Sequence, residues 1–209
     1  MIGADFVANK IAVLGSLNVD MTLSVQRMPQ PGETLAVLEK KQAPGGKGAN
    51  QAIAAARSQA TTIFLGQIGQ DDAGKMMVQA LEADSIDVEA VQVDKMVATG
   101  SATILLDANG QNEILVYGGA NQSISSKTLN LDHLKGCDFL ITQFETPQEV
   151  ALAAFRKAKQ LKVKTILNPA PASKILPELL ELTDLIIPNE TESALLTGIE
   201  VTDEASMIA

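Results

Sequence analysis

The sequence contains very little cysteine, histidine or tryptophan. One cysteine, Cys137, and one histidine, His133, occur among 209 residues, and tryptophan is absent. A single cysteine cannot form an internal disulfide bond, which favours an intracellular compartment. The scarcity of histidine argues against a histidine-rich metal cluster and against a Cys–His catalytic couple. We therefore expect Cys137 to be a buried thiol without a catalytic role and His133 to lie on the surface.

Long apolar runs and an excess of positive charge are also missing. No run approaches the eighteen or so apolar residues that a membrane span requires. Residues 1–9 contain Asp5 and lack the continuous apolar segment of a secretion signal. The formal net charge of −9 argues against a broad surface for nucleic acid or anionic membranes, which needs basic side chains to neutralise phosphates. We expect a cytoplasmic protein that binds neither nucleic acid nor membrane.

The pattern of apolar residues predicts the fold class. Aromatic residues make up 3% of the chain and hydrophobic residues 46%, so the core must be aliphatic. Short apolar runs alternate with helical patterns, which predicts an α/β fold with a mainly parallel central sheet and helices on both faces. The length suits one domain, with or without a small appendage. Predicted strands lie at 11–14, 62–65, 139–142, 165–167 and 185–187, and predicted helices at 50–58, 73–83, 147–162, 175–182 and 190–197.

Two segments interrupt this alternation, at residues 33–42 and 99–117. Both have the pattern of antiparallel ribbon, and the second turns at Asn109-Gly110, a strong hairpin signal. We interpret them as a small β lid that projects from the main sheet. Such ribbons exclude water from a reaction or serve as a dimer interface.

A glycine-rich segment, Pro44–Gln51, leads directly into a helical run. Glycines allow a positive φ and a close approach to a ligand, and a helix N-terminus offers unpaired N–H donors, so the segment is a candidate pocket floor. The alternative is a turn that only begins a helix. A Walker A motif is excluded because Gly48 and Ala49 follow Lys47, and Gly15–Asp20 lacks the later glycines of a dinucleotide fingerprint. Both failures favour another type of kinase or a sugar-binding protein.

Polar residues follow four of the predicted strands, where ligands bind in open α/β sheets. Asn18 and Asp20 are two residues apart, so in an extended segment both point to one face and offer an amide and a carboxylate to sugar hydroxyls. The alternative for this pair is an Asx turn. The four groups are Gly15, Ser16, Asn18 and Asp20; Gln143 and Glu145; Asn168; and Asn189 with Glu192.

Two of these candidate carboxylates, Glu145 and Glu192, lie beside predicted helix starts. Thr146 is predicted to cap a helix that has Pro147 in its first position, and this leaves Glu145 free to accept a sugar hydroxyl. Asn189 and Glu192 are three residues apart on one helix face. They fit the water shell of a magnesium ion near a nucleotide phosphate, and they fit a capping box equally well.

The ordered set of motifs resembles the ribokinase family of carbohydrate kinases, which includes fructokinases and adenosine kinases. The resemblance covers essentially all 209 residues, and the ordered set is highly specific although each motif alone is weak. The motifs are Leu14-Gly15-Ser16-Leu17-Asn18-Val19-Asp20, Pro31-Gly32-Glu33-Thr34, Gly45-Gly46-Lys47-Gly48-Ala49-Asn50-Gln51-Ala52, Gly118-Gly119-Ala120-Asn121, Asn168-Pro169-Ala170-Pro171-Ala172 and Pro188-Asn189-Glu190-Thr191-Glu192.

This resemblance implies ATP-dependent phosphorylation of D-ribose to D-ribose 5-phosphate, with a ribbon lid over the sugar that also pairs two subunits into a homodimer. It implies that Asn189 serves the ATP phosphates and that Glu192 serves Mg²⁺ indirectly. The residues implied to line the ribose pocket are Asn18, Asp20, Gly46, Lys47, Gly48, Asn50 and Glu145.

The sequence departs from the family pattern at its end. Family members continue past the position of Ala209 to a turn of the Gly-Ala-Gly-Asp type, which supplies the catalytic aspartate and an anion hole. The adenine pocket and a site for a monovalent cation such as K⁺ lie in that later part too. We expect residues 1–209 to form a single incomplete domain that lacks the C-terminal part of the sheet and is inactive by itself. The alternatives are a sugar-binding or interaction module without catalysis and a kinase for fructose or deoxyribose.

Overall fold

The computed structural model describes residues 8–208, and the strands within that range form two sheets. Numbered in chain order, they are β1 (Lys10–Leu14), β2 (Asn18–Ser24), β3 (Glu39–Gly45), β4 (Thr61–Gly69), β5 (Val91–Asp94), β6 (Gly100–Leu106), β7 (Asn112–Tyr117), β8 (Phe139–Thr142), β9 (Lys164–Leu167) and β10 (Leu185–Ile186). The larger sheet has the order β10-β9-β8-β1-β4-β5, and all of its pairs are parallel.

Helices pack on both faces of the larger sheet. The described helices are α1 (Lys47–Arg57), α2 (Asp72–Ala83), α3 (Ala120–Ser123), α4 (Gln148–Gln160), α5 (Pro177–Glu181), α6 (Glu190–Thr197) and α7 (Glu204–Ile208), with a short 3-10 helix at Leu131–Leu134. Of these, α1 and α2 pack on one face of the sheet, and α4 and α5 pack on the other. Successive residues of a strand point to opposite faces. In β1, Val13 therefore joins the cluster under α1 and α2, whereas Leu14 joins the cluster under α4 and α5. The predicted α/β class, with a mainly parallel sheet and helices on both faces, is confirmed.

The smaller sheet, which is called the lid below, has the strand order β3-β2-β6-β7. Its central pair β2–β6 is parallel, and its two outer pairs are antiparallel. The hairpin β6–β7 occupies the predicted segment 99–117 and turns at Gly110, which has a φ of 81°. In the predicted segment 33–42, by contrast, only residues 39–42 are strand, and residues 33–38 are irregular. Strand β2, which the sequence analysis did not assign, carries Asn18 and Asp20 into the lid.

One face of the larger sheet is only partly covered over β8, β9 and β10 within the described residues. The chain passes from β8 through α4 to β9 and through α5 to β10, and right-handed crossovers in one direction keep both helices on one side. On the other side, Ile141, Ile166 and Ile187 line an apolar cavity of about 470 Å³ beside α1. Leu185 and Ile187 are each 52% exposed, so this edge of the sheet presents apolar surface to solvent.

The structure shows where the single cysteine and the single histidine lie. Cys137 is buried as expected, and its thiol lies 3.6 Å from the carbonyl oxygen of His133. His133 itself is half-buried rather than fully on the surface, because it lies in the 3-10 helix that packs beside α4. None of the described helices is long and apolar enough to cross a membrane. The expectation that residues 1–9 are not a secretion signal stays a prediction, because residues 1–7 lie outside the described residues.

Strand β9 provides a test of the one-sided packing. Leu167 is fully buried under α4, whereas its neighbour Ile166 faces the open cavity. We expect Leu167→Ala to lower the free energy of unfolding by about 2–5 kcal/mol and Ile166→Ala to lower it by less than half as much. Urea denaturation of both variants measures the difference. Equal losses would mean that both faces of β9 are covered.

Candidate active site

The floor of the site is the start of α1, which packs against the turn between β1 and β2. A methyl group at Gly48 would lie 2.5 Å from the backbone nitrogen of Ser16, and one at Gly15 would lie 2.7 Å from Cα of Gly48. Only glycine permits this approach of two backbones. Gly46, just before the helix, has a φ of 92°, which is also a glycine conformation. The glycine-rich segment therefore has a structural reason for its composition at these positions.

The free N–H groups at the start of α1 bind side chains of the protein. The Lys47 backbone N–H donates to Oε2 of Glu145 at 2.8 Å, and the Gly48 N–H donates to Oγ of Ser16 at 3.2 Å. Ser16 in turn donates its hydroxyl proton to the same Glu145 oxygen. A carboxylate at this position is stabilised by the positive end of the helix dipole. Glu145 thus fixes the floor through Oε2.

The lid contributes the opposite wall. In β2, Asn18 pairs with Gly45 and Gly100, and Asp20 pairs with Ala43 and Ala102. Both side chains point to the same face, as their spacing predicts. A methyl group at Gly45 would lie 2.1 Å from a carboxylate oxygen of Asp20, so the Asp20 side chain lies directly over that glycine.

These elements enclose a cleft of about 280 Å³ between the lid and the floor. Of the seven residues predicted to bind the sugar, only Gly48 does not line it, because Gly48 is buried under the β1–β2 turn. An adjoining space of about 250 Å³ shares Asn18, Val116 and Glu145 with the cleft. The lining residues are Asn18, Asp20, Gly46, Lys47, Asn50, Ala102, Ile104, Ile114, Val116 and Glu145.

The cleft combines hydrogen-bond donors and acceptors around a small volume. Burial raises the pKa of Asp20 above its ordinary value of 3.8, and the nearby Glu145 carboxylate raises it further. Lys47, Asn18 and Asn50 also line the cleft, and their side chains are of types that can donate hydrogen bonds. A compact ligand with several hydroxyl groups can satisfy such a set, because each hydroxyl both donates and accepts.

Asn189 and Glu192 form a capping box at the start of α6. The Glu192 N–H donates to Oδ1 of Asn189 at 2.8 Å, and the Asn189 N–H donates to Oε2 of Glu192 at 2.9 Å. Glu192 is only 5% exposed. The described residues contain no group of three histidine, cysteine or acidic side chains that could hold a metal ion. A lone carboxylate already engaged in capping fits a water-mediated role toward Mg²⁺ better than direct ligation.

Comparison with known proteins establishes the family. A sequence model of the pfkB family carbohydrate kinases matches residues 8–209. The chain belongs to this family. It is 49% identical over 203 residues to the bifunctional ribokinase/ribose-5-phosphate isomerase A of Fructilactobacillus sanfranciscensis, a match that covers 96% of this chain and 38% of that protein.

Two further matches extend over about two thirds of the other protein. The pfkB family chain is 47% identical over 204 residues to the ribokinase of Staphylococcus aureus, covering 96% of this chain and 67% of that protein. The structure of Arabidopsis thaliana ribokinase complexed with ribose and ATP aligns with a TM-score of 0.89 at 31% identity, covering 96% of this chain and 66% of that one.

The catalytic base of this pfkB family member is not assigned to any described residue. The sequence analysis expected that aspartate in a turn beyond Ala209, and Ala209 itself lies outside the described residues 8–208. The relatives named above are longer, since the chain spans between 38% and 67% of their length. The expectation that residues 1–209 lack the base and are inactive by themselves therefore stays a prediction.

The structure corrects one sequence interpretation and adds two residues to the site. Thr146 does not cap α4. Pro147 occupies the cap position without a side-chain hydrogen bond, and Oγ1 of Thr146 is buried without a partner among the described residues. The two additional residues are Ser16, which links Glu145 to the helix start, and Asn121, which donates to Oδ1 of Asn18 at 2.8 Å. Both occur in the quoted motifs, and Ser16 was also among the polar residues that follow the first predicted strand.

The raised pKa of Asp20 has a consequence for stability. Because the folded protein binds this proton more tightly than the unfolded chain does, stability falls as pH rises from the ordinary pKa through the raised one. We expect Asp20→Asn to be more stable than the wild type at neutral pH and to lose that advantage as pH falls toward 3.8. Thermal unfolding between about pH 4 and about pH 8 measures the difference.

The control for this prediction is Glu113→Gln, which changes an exposed carboxylate of the lid strand β7. Its effect on stability should be small at every pH. If Asp20→Asn is less stable than the wild type at neutral pH, the ionised Asp20 side chain is favoured by its surroundings, and the assignment of its pKa shift to burial and Glu145 is wrong.

Proposed function

We propose that the protein is a sugar kinase of the ribokinase type, which transfers a phosphoryl group from ATP to the 5-hydroxyl of D-ribose and forms D-ribose 5-phosphate. The observation that carries this proposal is the convergence of Asn18, Asp20, Lys47, Asn50 and Glu145 on one cleft between lid and floor. The ribokinase relatives, one of them solved with ribose and ATP, support it. A buried, unpaired Cys137 fits a cytoplasmic location.

Each polar residue of the cleft has a role in this proposal. Asp20 accepts hydrogen bonds from sugar hydroxyls, and the oxygen of Glu145 that does not bind the helix start accepts another. Lys47 and Asn50 donate to sugar oxygens. Such charge-assisted bonds are shorter and stronger than neutral ones, so Asp20 and Lys47 should contribute most to affinity.

The nucleotide side of the proposal rests on the same sheet edge. Asn189 follows β10 at the carboxyl end of the parallel strands, where ligands of open α/β sheets bind. We assign Asn189 to the phosphates of ATP and Glu192 to the water shell of the accompanying Mg²⁺. In phosphoryl transfer, Mg²⁺ bridges phosphate oxygens and offsets the charge that develops on them.

Ribose binding by the 209-residue polypeptide tests the sugar half of the proposal. We expect isothermal titration calorimetry to give a single ribose site, and we expect Asp20→Ala to weaken it by about 10- to 100-fold, the loss of a hydrogen bond to a charged group.

Asn50→Ala is a second test variant, and Asn109→Ala is its matched control. Asn50 lines the cleft, whereas Asn109 lies in the exposed β6–β7 turn, so only Asn50→Ala should weaken ribose binding. Titration with fructose and with 2-deoxyribose tests the choice of sugar. Tighter binding of either sugar than of ribose would replace the ribose assignment, and wild-type affinity in Asp20→Ala would contradict the sugar site itself.

We further infer that the lid pairs two copies of the chain. Strand β7 is an edge strand, and all six of its residues are exposed. Ile114 and Val116 face the cleft, whereas Leu115 and Tyr117 point to the outer face and are 67% and 53% exposed. Exposed apolar residues on an edge strand favour pairing with another chain.

A substitution on the outer face of the lid tests this dimer. We expect Leu115→Asp to convert a dimer into a monomer in light scattering coupled to size exclusion, because it places a charge in an apolar contact. Glu113→Lys on the same face is the control for a change of charge alone. A monomeric wild type, or a Leu115→Asp protein that remains dimeric, would contradict pairing through this surface.

A further inference from the structure

Asn121 is a buried amide that connects the lid to the cleft. It lies in α3, just after the last lid strand, and is 1% exposed. Its Oδ1 accepts from the backbone N–H of Leu17 at 2.8 Å. Its Nδ2 donates to the Leu17 carbonyl at 3.1 Å and to Oδ1 of Asn18 at 2.8 Å. Both hydrogens of the Asn121 amide are therefore used within the protein.

The backbone of Leu17 determines which way the Asn121 amide points. A backbone N–H can only donate and a carbonyl can only accept, so the Asn121 oxygen must face the Leu17 N–H and its nitrogen must face the Leu17 carbonyl. The atom of Asn18 that meets the remaining Asn121 hydrogen must then be an acceptor. The orientation of the Asn18 amide follows from the backbone through Asn121.

The space around this pair is closed by Gly100 in β6. A methyl group there would lie 2.2 Å from both Nδ2 of Asn121 and Oδ1 of Asn18. Asn18 is 5% exposed and lines the cleft, and its Nδ2 donates to no residue among 8–208. The amide pair is therefore confined on the Gly100 side, and the unused donor of Asn18 remains available to the cleft.

We propose that Asn121 is a positioning residue, which turns Oδ1 of Asn18 away from the cleft and presents Nδ2 of Asn18 to the ligand as a fixed donor. The sugar as that ligand rests on the proposed function above. On strand β2, Asn18 then donates and Asp20 accepts, two residues apart on one face. The wall therefore selects a ligand in which an oxygen that accepts a hydrogen bond lies beside a hydroxyl that donates one.

Nuclear magnetic resonance of the free protein tests the orientation without any ligand. With asparagine labelled by nitrogen-15, the side-chain amides are assigned from the signals that Asn18→Ala and Asn121→Leu remove. We expect the Asn121 NH₂ protons to exchange with solvent at least about 10-fold more slowly than those of Asn18, because both are bonded within the protein. Protected Asn18 protons beside unprotected Asn121 protons would overturn the proposal.

Ribose titration tests the consequence for binding. We expect Asn121→Leu, which leaves the Asn18 amide free to rotate, to weaken ribose binding by about 10-fold, and we expect Gly100→Ala to do the same by displacing the amide pair. The control Thr165→Val removes a buried hydroxyl far from the cleft, where it bonds to Leu182 and Asp184, and should leave ribose affinity unchanged.

The outcomes separate this inference from the proposed function. At least one of the variants Asn121→Leu and Gly100→Ala should fold. If the folded variant binds ribose as tightly as the wild type does, the positioning role is overturned. A wild type that binds no ribose, but has the expected exchange pattern, would contradict the proposed function and support the orientation. Equal weakening in Thr165→Val would mean that the loss reflects stability alone and would overturn the role of Asn121 in binding.

Discussion

The contact between the backbones of Gly15 and Gly48 is the constraint on which the cleft depends. It brings the N-terminus of α1 against the β1–β2 turn, so the first N–H groups of the helix meet Ser16 and Glu145. Any side chain at Gly48 would push the helix away and separate these donors from their acceptors. The helix start is consequently a fixed floor that carries Lys47 and Asn50. Its Lys47 and Gly48 N–H groups are already engaged and do not serve a phosphate, as they would in a P-loop.

The lid depends on the same turn, because β2 leaves it directly. Only Leu17 lies between Ser16 and the Asn18–Asp20 wall, so the position of the turn also sets the position of the wall relative to the floor. The wall is further fixed by glycines in the two neighbouring strands, Gly45 beneath Asp20 and Gly100 beside Asn18. Floor and wall are thus held by backbone contacts, which leaves the polar side chains available for a ligand.

Local patterns in the sequence predicted the elements better than the contacts. The bounds of β8 and α6 match the predicted segments, since an apolar run and a capping box are local signals. Strand β2 was not listed among the predicted strands because its polar residues left an Asx turn as the alternative to an extended segment, and its partners β3 and β6 lie far along the chain. Thr146 was assigned as a cap from local spacing, although the observed helix begins one residue later than the predicted one. The contacts in the candidate site were likewise harder to predict than its elements. Ser16 bonds to Glu145, 129 residues away, and Asn121 bonds to Leu17, 104 residues away, and no local spacing encodes such pairs.

A second set of amides orients the other side of the floor by the same physical rule. The Gln143 amide donates to Gln51 of α1, Gln51 donates to Asn168 at 3.1 Å, and Asn168 donates to the carbonyl of Ile187 at 2.9 Å. Because that carbonyl can only accept, it sets the direction of the whole chain of amides, as Leu17 does for Asn121 and Asn18. Ile187 lies two residues before Asn189. The cleft floor and the turn that carries Asn189 are therefore joined by oriented hydrogen bonds, so a displacement of β10 would reach α1 through side chains rather than through the sheet alone.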